Sequence, residues 1–280
     1  MNSGKIKYIF ILAAFFFISK NIYAQNELAK QYEYAVSLYN SEKYFDAITE
    51  AKRLAFFDTL RAFAYPANEL IAECYKQGGK YPDAIFYYKK AERYAKNKDE
   101  IYKTKLGVIK TDILRKATGQ AIKLIDELKC DTTLNAKELS YWRGWAYIFN
   151  DEWDAAAECF DSIDHNSPLK LLCQKVEKDK YSVLFAKVVS VFIPGAGQFY
   201  TGNYLSGIMS LGWNFLWGYI SVNSIIENRV FDAAMTANFL WLRFYLGNIQ
   251  NAEKFAEMKN LEITNNALIF LQNNFNGEKP

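Results

Sequence analysis

Alanine recurs at Ala47, Ala84 and Ala121, 37 residues apart, and again 35 residues later at Ala156. Each sits in a segment of one pattern: KYFDAITEAKRL, KYPDAIFYYKKA, ATGQAIKLIDEL and EWDAAAECFDSI. An aromatic stands three residues before three of these alanines (Tyr44, Tyr81, Trp153), and isoleucine follows three of them (Ile48, Ile85, Ile122). Twelve residues upstream lie Ala35, Ala72, Ile109 and Gly144, three of them small. A small residue at a fixed point on a helix lets a neighbouring backbone approach, and an aromatic beside it fills the gap between units. A unit of this length cannot bury its apolar stripe alone, so successive units must stack. The pattern predicts an all-α chain beginning with paired helices.

The second unit carries Ala72, Tyr75, Tyr81, Ala84, Tyr88 and Ala91 in a fixed order, and the fourth carries Gly144, Tyr147, Trp153, Ala156 and Phe160. These residues resemble the tetratricopeptide repeat family over about 30–165, although that family's period is about 34 residues. The third unit departs from the pattern, with Ile109 at the small position and Thr118 at the aromatic one. The resemblance implies a helical solenoid over 25–166 whose first helices line a concave protein-binding groove. Tyr32, Tyr39, Glu69, Glu73, Lys103, Lys110, Tyr141 and Trp145 would face it. Ordinary core packing is the competing reading for each of its aromatics.

The second half of the chain is of another kind. Ser167 and Pro168 signal a helix start, and Leu169, Leu172, Cys173 and Val176 follow at helical spacing, so 167–187 reads as a capping or linking helix. Val188 to Ile226 then runs without a charged residue. Pro194 and the glycines around it end one helix. Gly195, Gly197 and Gly202 read as turn glycines, and Gly207, Gly212 and Gly218 as close-packing positions in the next helix. The 23 uncharged residues from Tyr204 to Ile226 are long enough to span a bilayer with some tilt. The segment VFDAAMTANFLWLRFYLGNI returns after the turn Glu227–Arg229, with Asn214 and Asn238 placed to bond across. Trp213, Trp217 and Trp241 are candidate interfacial anchors or packing residues. Pro194, Gly195, Gly197, Gln198, Tyr200 and Gly202 resemble the P-G-x-G-Q-x-Y-x-G turn of TM2-like bacterial membrane domains. That likeness implies a membrane-associated hydrophobic hairpin over 188–250 and no chemistry. The tail 251–280 reads as an amphipathic helix to about Lys259, then a segment whose periodicity does not separate strand from short helix.

Residues 1–24 read as an export signal: Lys5 and Lys7, an apolar run YIFILAAFFFIS, and Ala24 before Gln25. Lys5, Lys7 and Lys20 supply the whole formal charge of +3, and the remainder balances 31 basic against 31 acidic residues. Such a chain has no electrostatic reason to bind nucleic acid. Export would put both flanks of the hairpin outside the cytoplasm. The lysines at 170–187, Lys254 and Lys259 would by themselves favour the opposite side, and the signal is given precedence.

Cys74, Cys130, Cys159 and Cys173 fit no metal spacing, and read as free thiols rather than disulfides. His165 lies in a connecting turn, and Asp151, Glu152 and Asp154 at another turn and helix start. PGAGQFYTG lacks the lysine and hydroxyl of a phosphate-binding loop. No enzyme, metal, cofactor or small-molecule substrate is expected. The expectation is an exported, membrane-associated repeat scaffold of the bacterial cell envelope, its repeats on the periplasmic side binding another envelope protein. Two alternatives stay open: a hairpin that works in membrane-protein insertion, transport or lipid handling under regulation by the repeats, and a soluble periplasmic adaptor.

Overall fold

The computed structural model describes residues 26–130 and 135–280. The proposed export signal at 1–24 lies outside the described residues. All regular structure among the described residues is helical. The chain divides into two compact units, meeting in sequence at Asp164 and His165.

In the first unit, α1 (26–40) is followed by α2 (Tyr44–Phe57), α3 (Ala64–Gln77) and α4 (Tyr81–Glu92). Then come α5 (Lys98–Leu114), α6 (Thr118–Lys129), α7 (Ala136–Phe149) and α8 (Trp153–Asp161). From α2 onward each helix packs on the next, and α5 also packs on α3 and α7. The spaced alanines Ala47, Ala84, Ala121 and Ala156 are all fully buried, as are Ala35, Ala72 and Ile109 upstream of them. Helix pairs close on this small-residue seam: a methyl group added at Gly144 would strike the Phe160 ring of α8, and one at Gly107 would strike Tyr88 of α4.

The repeat is also written in the backbone. Glu42, Gly79, Lys116 and Asp151 all take left-handed φ values, between 60° and 70°. Their spacing is that of the alanines. One residue later, the amides of Lys43, Lys80, Ala117 and Glu152 donate to the carbonyls of Leu38, Tyr75, Asp112 and Tyr147 at 2.8–3.0 Å. These are six-to-one bonds of a Schellman helix end, which satisfies carbonyls the helix leaves open. The same turn thus joins the two helices of all four pairs. At Glu42, Lys116 and Asp151 a side-chain-bearing residue holds a conformation that glycine takes more readily.

The second unit contains α9 (Pro168–Asp179), α10 (Val183–Phe192), the short α11 (Ala196–Tyr200) and α12 (Tyr204–Ile226). After a turn it continues through α13 (Val230–Met235), one wide π-helical turn (Thr236–Trp241) and α14 (Leu242–Asn274). α12 packs against all three of these last segments, and α14 also against α9, α10 and α11. Three sequence expectations change here. The segment 167–187 is not one helix but breaks at 180–182; α9 is grouped with the second unit and packs on α14. The helix of the tail does not stop near Lys259, and the segment left open between strand and short helix is helical, because α14 runs unbroken for 33 residues to Asn274. Its length follows from buried Asn248, Ala252, Ala256, Thr264, Ala267 and Leu271, which lie at helical spacing along one side and give the neighbours a continuous seat.

None of the four cysteines forms a disulfide; Cys74 and Cys173 are buried, Cys130 is exposed. Burial, with the Glu73 carboxylate as a second cause, pushes the Cys74 thiol from 9.0 up to about 12. Iodoacetamide at pH 8 should therefore label Cys130 in the native chain and reach Cys74 only after unfolding, as peptide mapping would report. The folded state keeps this proton where the unfolded thiol releases it, so the Cys74 contribution to stability declines as pH rises from 9.0 toward about 12. Backbone conformation gives a second test. Nothing lies within 4 Å of a methyl added at Gly79, whose φ is +70°. Gly79→Ala should cost about 1 kcal/mol through conformation alone, and Lys116→Gly should recover up to about as much, in urea unfolding of the full chain.

Candidate functional site

The groove residues expected from the repeats come from α1, α3, α5 and α7, and the structure brings some of them together. Lys103 Nζ pairs with Glu69 Oε1 at 2.9 Å, joining α5 to α3. Tyr32 stacks obliquely on Phe63, ring centres 5.9 Å apart. Its phenol is raised by burial and by Glu69, against an opposing effect of Lys103. Burial works against the Lys103 charge, but Glu69 outweighs it and holds the ammonium protonated. Tyr39 lies near Glu73, and burial, then that carboxylate, raises its phenol. Lys110 Nζ sits 4.4 Å from the Trp142 ring centre, a cation–π arrangement.

One of the eight expected groove residues serves the interior instead, and another is tied to its neighbours. Trp145 is 3% exposed and packs on Tyr141 and Phe149, so it is core. Glu73 is held by the Tyr88 hydroxyl and by Lys76 at 2.9 Å, a fixed bracket between α3 and α4. Tyr102 was not expected; its hydroxyl donates to Glu138 at 2.8 Å and joins α5 to α7. A tyrosine one position from Lys103 carries no spacing signal of its own.

The acidic turn residues are structural. Asp151 accepts from Trp153 Nε1 at 2.7 Å, and Glu152 forms the cap position of α8. Among the described residues no group of three or more His, Cys, Asp or Glu side chains could hold a metal ion.

In the second unit, each motif residue has a definable task. Ile193 is extended, as a residue before proline must be, and Pro194 ends α10. Gly195 has φ 93°, and any side chain there would collide with the Gly207 carbonyl of α12. Gly202 is also left-handed, at φ 78°. Gly197 is not a turn glycine as the sequence suggested. It lies in α11, where a methyl would meet Ala186, Ser190 and Ala252 at once. Gly207 and Gly218 are close-packing positions, against Phe199 and Trp241, whereas Gly212 faces open space. The Tyr200 hydroxyl accepts from the Ser182 amide at 3.1 Å.

Gln198 is fully buried, and its Nε2 donates to the Asn248 carbonyl at 3.0 Å and side-chain oxygen at 3.1 Å. Asn248, absent from the sequence expectations, is the centre. Its Oδ1 also accepts from the Gly195 amide and the Ser210 hydroxyl, both at 2.8 Å, and its Nδ2 donates to the Ser190 carbonyl at 2.8 Å. One side chain of α14 therefore fixes α10, the glycine turn, α11 and α12. Three turns on, Asn260 brackets Tyr181, accepting from its amide at 2.7 Å and donating to its carbonyl at 2.9 Å. The expected Asn214–Asn238 bond is replaced. Asn214 donates to its own helix at Ser210, Asn238 is exposed, and the cross-link runs from Ser221 to Thr236 at 3.1 Å.

Polarity in this unit is distributed inside out. Ser190, Gln198, Thr201, Asn214, Ser221, Ser224 and Asn248 are buried. Leu205, Phe215, Ile226, Val230 and Phe231 are each more than 70% exposed, and so are Leu184 and Phe192 on α10. The first unit buries its largest apolar side chains, Trp142, Trp153, Ile113 and Ile125 among them, although Phe45 and Phe56 stand exposed on α2. α12 has the bounds expected of a 23-residue span, yet no helix of the described residues is long and apolar enough to cross a membrane. Asn214, Ser210, Ser221, Asn223 and Ser224 lower its average hydropathy, and three of these five point into the packed interior rather than outward.

Comparison with family models, curated proteins and solved structures gives no match to the chain.

Replacing Asn248 with alanine orphans the Gly195 amide and the Ser190 carbonyl and takes the acceptor from the Ser210 hydroxyl, while Gln198 keeps its bond to the backbone carbonyl of residue 248. About 3 kcal/mol or more should be lost, given about 1–3 kcal/mol per buried orphan. Asn238→Ala, the residue singled out by sequence, should change stability by less than about 0.5 kcal/mol. Thermal unfolding of both variants checks the contrast.

Proposed function

We propose that the chain is a membrane-associated repeat scaffold: the second unit sits in the surface of a lipid bilayer, and the first presents a helical face to a partner protein. The observation that carries this reading is the inverted polarity of the second unit. A water-facing protein gains by burying large apolar groups, at roughly 25 cal/mol for each Å², and monomers seldom expose wide contiguous apolar patches. Here α10, α12 and α13 turn such groups outward and keep hydroxyls and amides between helices, where Asn248, Gln198 and Ser210, and Ser221 with Thr236, bond to one another. That arrangement costs free energy in water and is favourable in lipid. Trp213 and Trp241, each partly exposed, suit the interfacial zone.

The partner-binding half of the reading rests on the fourfold helix–turn–helix and on its resemblance to tetratricopeptide repeats. In such an arrangement the odd-numbered helices form one side, and Tyr32, Tyr39, Glu69, Glu73, Lys103, Lys110 and Tyr141 are its accessible or half-buried members. Mixed charge on this face favours a protein surface over a polyanion.

Alkaline-carbonate extraction of membranes from cells making the full chain tests the anchoring half. Retention in the pellet is expected. Release of the chain into the supernatant, together with no binding to phospholipid vesicles in flotation, would remove the membrane reading and leave a water-soluble scaffold.

A further inference from the structure

A cleft of about 320 Å³ opens between α12 and α14, lined by Ser206, Ser210, Trp213, Arg243, Phe244 and Asn251 among others. This volume falls in the range of small-ligand sites. Arg243 is exposed and forms no ion pair with any described residue. The cleft lining contains no carboxylate. The helix neighbours of Arg243, Leu242 and Leu246, are about half exposed, so this guanidinium sits within the outward apolar surface. A cation so placed in lipid needs a counter-charge, since an unpaired charge there is costly.

We propose that this cleft binds the phosphate of an anionic phospholipid headgroup. The inference rests on the membrane reading above. Arginine offers a planar fork of donors that matches phosphate oxygens two at a time. The Ser206 hydroxyl and the Asn251 amide supply further donors on the two helices that flank it. One wall is apolar: Trp213 stacks on Phe244, ring centres 5.5 Å apart and planes 16° from parallel. That wall continues into exposed Met209, Leu205 and Ile208. A free phosphate ion would leave it in water, whereas the glycerol and first methylenes of a lipid would cover it. The site is preformed, because Ser210 and Asn248 belong to the buried hydrogen-bond network and fix the separation of α12 and α14.

The test is native mass spectrometry of the purified full chain in a neutral detergent, titrated with dioctanoyl phosphatidylglycerol. Dioctanoyl phosphatidylcholine and sodium phosphate serve as the other two probes. The wild-type chain should retain one phosphatidylglycerol, bind phosphatidylcholine more weakly, and hold the lipid against millimolar phosphate. Arg243→Gln should weaken retention on the order of tenfold or more, the loss of a charge-assisted pair, and Arg243→Lys should lose less. Ser206→Ala combined with Asn251→Ala, which keeps the charge, should give a smaller loss. Equal retention by wild type and Arg243→Gln, each with the same thermal unfolding midpoint, would overturn the site. Displacement of the lipid by phosphate at equal concentration would overturn the lipid as its occupant. Carbonate extraction of the same wild-type chain separates the two claims: retention in the membrane without selective lipid binding defeats the cleft alone, and release defeats the membrane reading beneath it.

Discussion

The second unit depends on one buried amide. Asn248 joins four segments through bonds to an amide, a carbonyl, a hydroxyl and a glutamine side chain. The Gly195 amide and the Ser190 carbonyl would otherwise be orphaned away from water, where such bonds are strongest and their loss most costly. The glycines around it are consequences of the same constraint. Gly195 must bring its amide to Asn248 while its backbone lies against Gly207, and Gly197 must let α11 settle on α10 and α14. Without that convergence a turn rich in proline and glycine would have no reason to hold one shape.

The first unit solves a different problem. Its four helix pairs have no polar hub; their register comes from a small residue at a fixed place and a left-handed turn at another. The six-to-one turn bond closes each first helix and aims the next one back, so the alanine seam meets the same way four times. Polar bridges such as Glu69–Lys103 and Tyr102–Glu138 then link alternate helices over the seam. They are partly exposed and contribute little to stability, but they restrict which side chains on that face are open to a partner.

Under the proposed membrane reading, these two strategies fit two solvents. In water, burial of Leu, Ile and Trp is the dominant driving force, and the first unit follows it. Apolar burial drives nothing in lipid, so association falls to close backbone contact and interhelical hydrogen bonds. Both devices crowd the junction of α10, α11, α12 and α14. The cleft at Arg243 lies beside that junction, which is what gives a single exposed cation a fixed setting.

The sequence by itself determined the all-α class, the fourfold repeat, the bounds of α12 at Tyr204 and Ile226, and the structural character of the proline–glycine motif. These are local matters: helical periodicity, small-residue spacing and the conformational needs of glycine and proline are written within a few residues of where they act. Only the tertiary structure decided that Trp145 serves the interior, that Gly197 packs rather than turns, that α14 continues unbroken to Asn274, and that Asn248 is the hub. Its partners lie 38 to 58 residues away in the chain. An asparagine in a helix carries no mark of such distant groups, and inward- and outward-facing serines read alike until the helices are packed.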